Sequence, residues 1–390
     1  MNTKTKRTAI LAALVLGLLS SVAPPANAAE AWLVAKPVAV TMPDGVQVTM
    51  WGFAEADASF AAGAATVPGP RLTVPSGDTT LTINVKNELT VPISIIIPGQ
   101  AATFTPVRPK AAQGDPTATS FTTETAPGAT GIYTWSNFRA GTFIYESGSN
   151  IAVQVQMGLY GAVTKDAGAG QAYAASPKVD TSFDKEVLLL YSEIDPALHA
   201  AVTTGNYGPG KLVKSTFEYH PRYFLINGQP YPAAAPIFPA GQAPIAAGNR
   251  VLVRFLSASL RTHVPTVLGG YFSVVSEDGF AYPYAKERYE VLLAAGKTTD
   301  AIYVPSAAGS IPIYDRRLFL SSNNAPKGGM LVKLDVAGPA PAPSDASAKM
   351  GHAKAKGYKV IPKKTGTKAL KGKPGVFDLA PVSAKGTRAE

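Results

Sequence analysis

The chain of 390 residues has no cysteine, four histidines and six methionines. Without cysteine no disulfide can form, so the fold must rest on its hydrophobic core. The same absence excludes a thiolate nucleophile and any metal centre that needs a thiolate ligand. The histidines are His199, His220, His263 and His352. None forms an i, i+2 or i, i+4 pair with another, and such pairs are what put two imidazoles on one metal. The methionines are scattered and make no metal-storing cluster. A G-x-S-x-G nucleophile elbow is also missing.

Long apolar runs are missing too, except at the start. "MNTKTKR" is a basic segment, "TAILAALVLGLLSSV" an apolar one, and "APPANA" a small-residue cleavage motif before Ala29. Residues 1–28 therefore read as a secretory signal peptide. Only Lys6-Arg7 precedes the apolar run, which points to Sec-type rather than twin-arginine export. No later stretch has the 18 or more apolar residues of a membrane-spanning helix. The expected location is periplasmic or extracellular.

Charge is uneven. The net charge is +10; the signal carries +3 and residues 338–390 carry +8, which leaves the body near −1. The basicity belongs to a tail. That tail opens with "GPAPAPSDASAK" and continues rich in Lys, Ala, Gly and Pro. Its few apolar residues cannot offset chain entropy, so it is expected to be disordered. Lys354, Lys356, Lys359, Lys363, Lys364, Lys368, Lys371 and Lys373 are its candidate polyanion contacts. Outside the cytoplasm the partner would be a cell-wall polymer, an acidic polysaccharide, anionic lipid headgroups or extracellular DNA. A solubilising or tethering role is the plainer alternative.

Helical periodicity is scarce. "DPALHAAV" (Asp195 to Val202) is the best helical piece, with Asp195 as N-cap and Pro196 in the first turn. Short β-rich runs dominate, among them "LTINVKN", "GTFIYES", "VQVQMGLYGAV", "KEVLLLYSEID", "NRVLVRFLSA" and "GGMLVKLDV". Many alternate apolar and polar residues, as half-buried strands do. The body also repeats itself: "PSGDTTLTINVKNEL" resembles "AAGNRVLVRFLSASL", and "GTFIYESG" resembles "GSIPIYDRR". The chain is expected to be all-β, with one sandwich over residues 29–170, a second over 176–337 and a tail over 338–390.

Other polar motifs have plain readings. "SEDG" around Asp278 reads as a turn, and Asp315-Arg316-Arg317 as a strand-end ion pair. "AGAG" (167–170) reads as a linker, since no helix follows it to make a phosphate cradle. His263 is expected to be structural or at the surface, His199 and His220 exposed, and His352 a lone imidazole among tail lysines.

These motifs together resemble the multicopper oxidases. "VPGPRLTVPSGDTTLTINVKNEL" is similar to that family's opening strands, and "AGTFIYESGSN…VQMGLYGAV" to its "GT..YHSH…Q…GLYG" segment. "PRYFLINGQPYP", "GNRVLVRFLSASLRTHVP" and "VVSEDG…AAGKTTDAIYV" are similar to its second domain. The resemblance spans roughly residues 38–336 and implies tandem Greek-key cupredoxin-like sandwiches. It also implies copper, held in the first domain by two His-x-His pairs. Here the matching positions are Ile96 and Pro98 in "ISIIIPGQ", and Glu146 and Gly148 in "YESG". Three of these side chains offer no donor, and Glu146 is a hard oxygen ligand. The resemblance also implies a C-terminal copper domain, and the basic tail is expected to stand in its place. The implied protein has no catalytic, metal or cofactor-binding residues and no copper. Its expected role is non-enzymatic binding or scaffolding in the envelope or extracellular matrix. The alternative is a divergent copper-dependent oxidoreductase completed by another chain. In the first reading β-branched bulk fills the lost site, with Ile96 on one face and Ile95 and Ile97 on the other.

Overall fold

Alternating residues build the sheets of the computed structural model, which describes residues 28–103, 105–108, 118–323, 325 and 328–338. These residues fall within one compact unit. In the first half the strands are β1 (Ala28–Thr41), β2 (Gln47–Glu55), β3 (Leu72–Val74), β4 (Thr80–Asn87), β5 (Thr130–Ser136), β6 (Gly141–Glu146) and β7 (Tyr160–Lys165). Helix α1 (Ile151–Met157) precedes β7. One sheet has the order β2-β1-β4-β5 and the other β3-β7-β6. Along β5, Tyr133 and Trp135 point inward while Ile132 stays in solvent, the period of two expected of a half-covered strand.

The second half runs β8 (Lys185–Ile194), α2 (Pro196–Thr203), β9 (Tyr223–Ile226), β10 (Ile245–Ala246), β11 (Val251–Ser257), β12 (Pro265–Val267), β13 (Phe272–Glu277), β14 (Phe280–Arg288), β15 (Thr298–Tyr303), β16 (Gly309–Asp315) and β17 (Leu331–Ala337). Its sheets are β14-β13-β15-β11-β8-β9 and β10-β17-β16-β12. Its parallel pairings repeat those of the first half. β1 lies parallel to β4, as β8 does to β11. β3 lies parallel to β7, as β10 does to β17. Parallel neighbours need a connection that crosses between sheets, as in a Greek key.

Each half has its own core. Leu33, Leu81, Ile83, Trp135 and Val163 fill the first, and Val187, Leu189, Phe255, Phe272 and Val332 the second. A third cluster joins them: Ile144, Tyr160 and Ala162 of β6 and β7 pack on Leu188, Leu190 and Leu256 of β8 and β11. These strands are covered on both faces, so their sequences read as continuous apolar runs rather than alternating ones.

Three readings need correction. "VQVQM" alternates like a strand but forms α1. Tertiary packing overrides the β preference of valine here. Val153 through Met157 are all buried, so the helix has no polar face to give it a helical period. Ser147 Oγ donates to Gln154 Oε1 at 2.6 Å, and Gln154 Nε2 donates to Pro92 O at 2.9 Å, which lets a glutamine sit inside. Gly158 ends the helix at φ 119°, where a Cβ would lie 2.2 Å from Trp51 O.

His199 is buried, not exposed. Asp195 caps α2 as expected, accepting from the N–H groups of Ala197 and Leu198. The helix packs on β2, and His199 Nδ1 lies 3.1 Å from Thr49 O. Burial pushes its pKa down to about 4, so it is neutral. Asp315 pairs with His263 rather than with the adjacent arginines, and Arg316 reaches Glu290 instead. Asp278 and Gly279 do make a tight two-residue turn between β13 and β14, with φ of 49° and 74°. His220 is exposed.

Candidate functional site

The segment 93–97 runs beside β6 and its continuation. Ile96 N donates to Glu146 O at 2.8 Å, and Glu146 N returns a bond to Ile96 O at 3.0 Å. Side chains alternate along it. Ile93, Ile95 and Ile97 enter the first core, while Ile96, buried too, is not part of it. A Cβ placed on Gly148 would lie 2.7 Å from Ile96 Cγ2 and 3.0 Å from Ser94 Oγ. Positions 96, 146 and 148 therefore meet on one face.

Pro98 and Glu146 share a cavity of about 360 Å³. Gly99, Phe143 and Ile144 belong to its first-half wall; Asp278 and the turn 294–298 close it from the second half. The Glu146 side chain accepts no hydrogen bond and makes no ion pair among the described residues, and it is only 8% exposed. Burial pushes its pKa up to about 7. The other charges of the cavity are engaged: Lys297 Nζ lies 3.4 Å from both Glu277 and Asp278, and Asp278 also accepts from Thr298 N at 3.2 Å. Among the described residues no group of three His, Cys, Asp or Glu could hold a metal ion. Isoleucine, proline and glycine at three of the four positions cannot ligate copper, so this donor set does not fit that metal.

Behind Gly148 lies a hydroxyl cluster absent from the sequence reading. Ser149 Oγ donates toward Ser94 Oγ at 3.1 Å and Ser120 Oγ at 3.0 Å, and all three serines are buried. Their mutual bonds satisfy groups that come from three separate segments. No local motif announces such a cluster.

Two further constellations were missed for the same reason. His263 Nδ1 is 3.0 Å from Asp315 Oδ2, and Nε2 is 2.9 Å from Ser259 Oγ. The order Ser–His–Asp matches a hydrolytic triad. Solvent does not reach it, however, since His263 and Asp315 are 0% exposed and Ser259 3%. Glu193 Oε1 also lies 2.9 Å from Nε2, so the ring sits between two carboxylates. Burial disfavours the charged ring, but Asp315 and Glu193 outweigh it and hold the pKa above the ordinary histidine range. This is a structural clamp.

The second constellation joins the halves. Arg254 is fully buried and binds Glu186 through Nε, Asp166 through Nη2, and Thr142 Oγ1 through Nη1 at 2.8 Å. Thr142 and Tyr173 donate to Asp300 at 2.7 and 2.6 Å. Arg71 binds Glu186 at 2.5 Å from the other side. Burial works against the Arg254 charge, yet Asp300, Glu186 and Asp166 hold its pKa above the ordinary value.

The tail lysines Lys354 to Lys373, His352 and the signal segment up to residue 27 lie outside the described residues.

Comparison with known proteins places this geometry. Residues 46–167 match the family model described as "Multicopper oxidase". No curated protein matches the chain. Among solved structures, a blue copper oxidase from Nitrosomonas europaea is 20% identical, with a TM-score of 0.61 over 80% of this chain and 86% of that one. The multicopper oxidase mgLAC is 18% identical, with a TM-score of 0.63 over 84% and 91%. A copper nitrite reductase from Nitrosomonas europaea is 17% identical, with a TM-score of 0.55 over 80% and 95%. At these identities the structural likeness speaks for the fold. Residues 46–167 are thus similar to the multicopper oxidases, and the described body has the fold of two-domain multicopper oxidase structures.

Proposed function

We propose that the chain is an exported, copper-free relative of the multicopper oxidases that acts by binding or scaffolding in the envelope or extracellular matrix. The observation that carries this reading is the packing of Ile96 into the space beside Gly148. A metal-binding imidazole at position 148 has no room while Ile96 is there. One at position 96 has no second imidazole nearby. Glu146 alone cannot replace four nitrogen donors. The basic tail, with Lys354, Lys356, Lys359, Lys363, Lys364, Lys368, Lys371 and Lys373, supplies the polyanion contact in this reading.

Reconstitution of the mature protein with Cu(I) or Cu(II), followed by dialysis and elemental analysis, tests it. Less than a tenth of an equivalent of copper, with no phenol oxidation, is the expected result. One or more retained coppers per chain with oxidase activity overturns the reading. Binding to an acidic polysaccharide should weaken steeply with salt and with removal of the tail charges. Salt-independent binding would locate the contact elsewhere.

A further inference from the structure

We propose that the cavity lined by Glu146 is a binding site for a small organic ammonium cation. The cavity is built from both halves, with Pro98, Gly99 and Phe143 on one side and Ala294 and Ala295 on the other. Its walls are mostly apolar. Three charged groups line it: Glu146, Asp278 and Lys297. Lys297 is held between Glu277 and Asp278, and Asp278 also accepts from Thr298 N. Glu146 is the one charged side chain of the cavity left without a partner among the described residues.

A buried carboxylate without a donor is costly, and a ligand that donates hydrogen bonds and carries positive charge removes that cost. The lining sums to one negative charge when Glu146 is ionised, so a monocation neutralises it. An anion would meet Glu146 unscreened, because Lys297 is already claimed by two carboxylates. A divalent metal needs six or more oxygen ligands for calcium, or a near-octahedral set for magnesium. One free carboxylate among alanine, proline and phenylalanine does not supply them. A volume of about 360 Å³ suits a short alkylammonium. The ammonium head would bind Glu146 and the alkyl body would lie along the apolar wall.

The proposal rests on the copper-free reading only in requiring Glu146 to carry no metal. The test uses the full mature chain with n-propylammonium as probe, followed by NMR shifts of the Ala294 and Ala295 methyl groups. Propylammonium should bind at least tenfold more tightly than 1-propanol or propionate. Glu146→Gln should lose at least tenfold, while Glu124→Gln, in a separate cleft, should lose nothing. With a pKa of about 7 for Glu146, affinity should rise about tenfold from pH 6 to pH 8. Equal binding by Glu146→Gln, equal binding of propanol, or unmoved alanine methyls overturns the proposal. Elemental analysis of the same sample separates the two readings. Copper-free protein without methyl shifts sinks this site alone. Retained copper, with shifts that appear once it is stripped, sinks the copper-free reading alone.

Discussion

The Cγ2 methyl of Ile96 lies 2.7 Å from where a side chain on Gly148 would begin. That distance is well inside van der Waals contact, so the two positions cannot both carry bulk. Gly148→Ala should cost about 1–3 kcal/mol, in the range of overpacked core sites. In an Ile96→Ala background the same change should cost at least 1 kcal/mol less, because the clashing methyl is gone. Ile96→His alone should destabilise by roughly 1–3 kcal/mol as an unpaired buried polar group, and should not bring in copper. Denaturant unfolding of the four-member cycle and of Ile96→His measures the stabilities, and elemental analysis of Ile96→His measures the copper. Additive costs at positions 96 and 148 would contradict the contact.

Glu146 makes stability fall as pH rises. Its pKa is raised from 4.5 to about 7 in the folded protein. Between those values the native state holds a proton that the unfolded chain has released. Stability therefore declines across that window and levels off above it. The effect is roughly 3 kcal/mol at most, from about 1.4 kcal/mol per pKa unit. Glu146→Gln should be more stable than the parent at pH 8 and close to it at pH 4. An identical pH profile for the two proteins would show that Glu146 is ionised and solvated.

Much of the fold was legible because strands declare themselves locally. "LTINVKN" and "GGMLVKLDV" alternate, and they are β4 and β17. Asp195-Pro196 fixed the start of α2 by a capping rule that needs no tertiary knowledge. The four positions Ile96, Pro98, Glu146 and Gly148 could be named from family resemblance, and three of them meet at Ile96. What stayed hidden depended on distant segments. α1 has no exposed face to mark a helical period. His263 meets Asp315 across 52 residues and Arg254 meets Asp166 across 88, and no local pattern encodes either pairing.

Arg254 should resist even conservative exchange. Its fork reaches Glu186, Asp166 and Thr142 through three different nitrogens. Lysine has one nitrogen and cannot span them. Arg254→Lys should therefore lose much of what Arg254→Met loses. The methionine variant leaves Asp300 buried without its cation and Glu186 with Arg71 alone, a cost of about 3–5 kcal/mol. Thermal unfolding of both variants is the measurement. A lysine variant within about 0.5 kcal/mol of the parent would mean the fork geometry does not matter.

His263 contributes stability at low pH and loses it at high pH. Asp315 and Glu193 flank its two nitrogens, Ser259 shares Nε2, and Tyr191 stacks on the ring with centroids 5.8 Å apart. The two carboxylates hold its pKa above 6.5 despite burial. A histidine raised in this way stabilises fully below its unfolded pKa of about 6.5. The stabilisation fades as pH climbs through the higher folded value. Glu146 titrates around pH 7, so a decline in stability above pH 6.5 that persists in a Glu146→Gln background reports His263. His263→Leu should lose about 3–5 kcal/mol at pH 6, since Asp315 and Glu193 are left buried without a cation. It should also lose less at a pH above the raised folded pKa, where the parent has shed the charge. Denaturant melts of parent and variant at the two pH values give the comparison. A penalty that is the same at both would mean the imidazole is neutral throughout, and that hydrogen bonds alone hold the clamp.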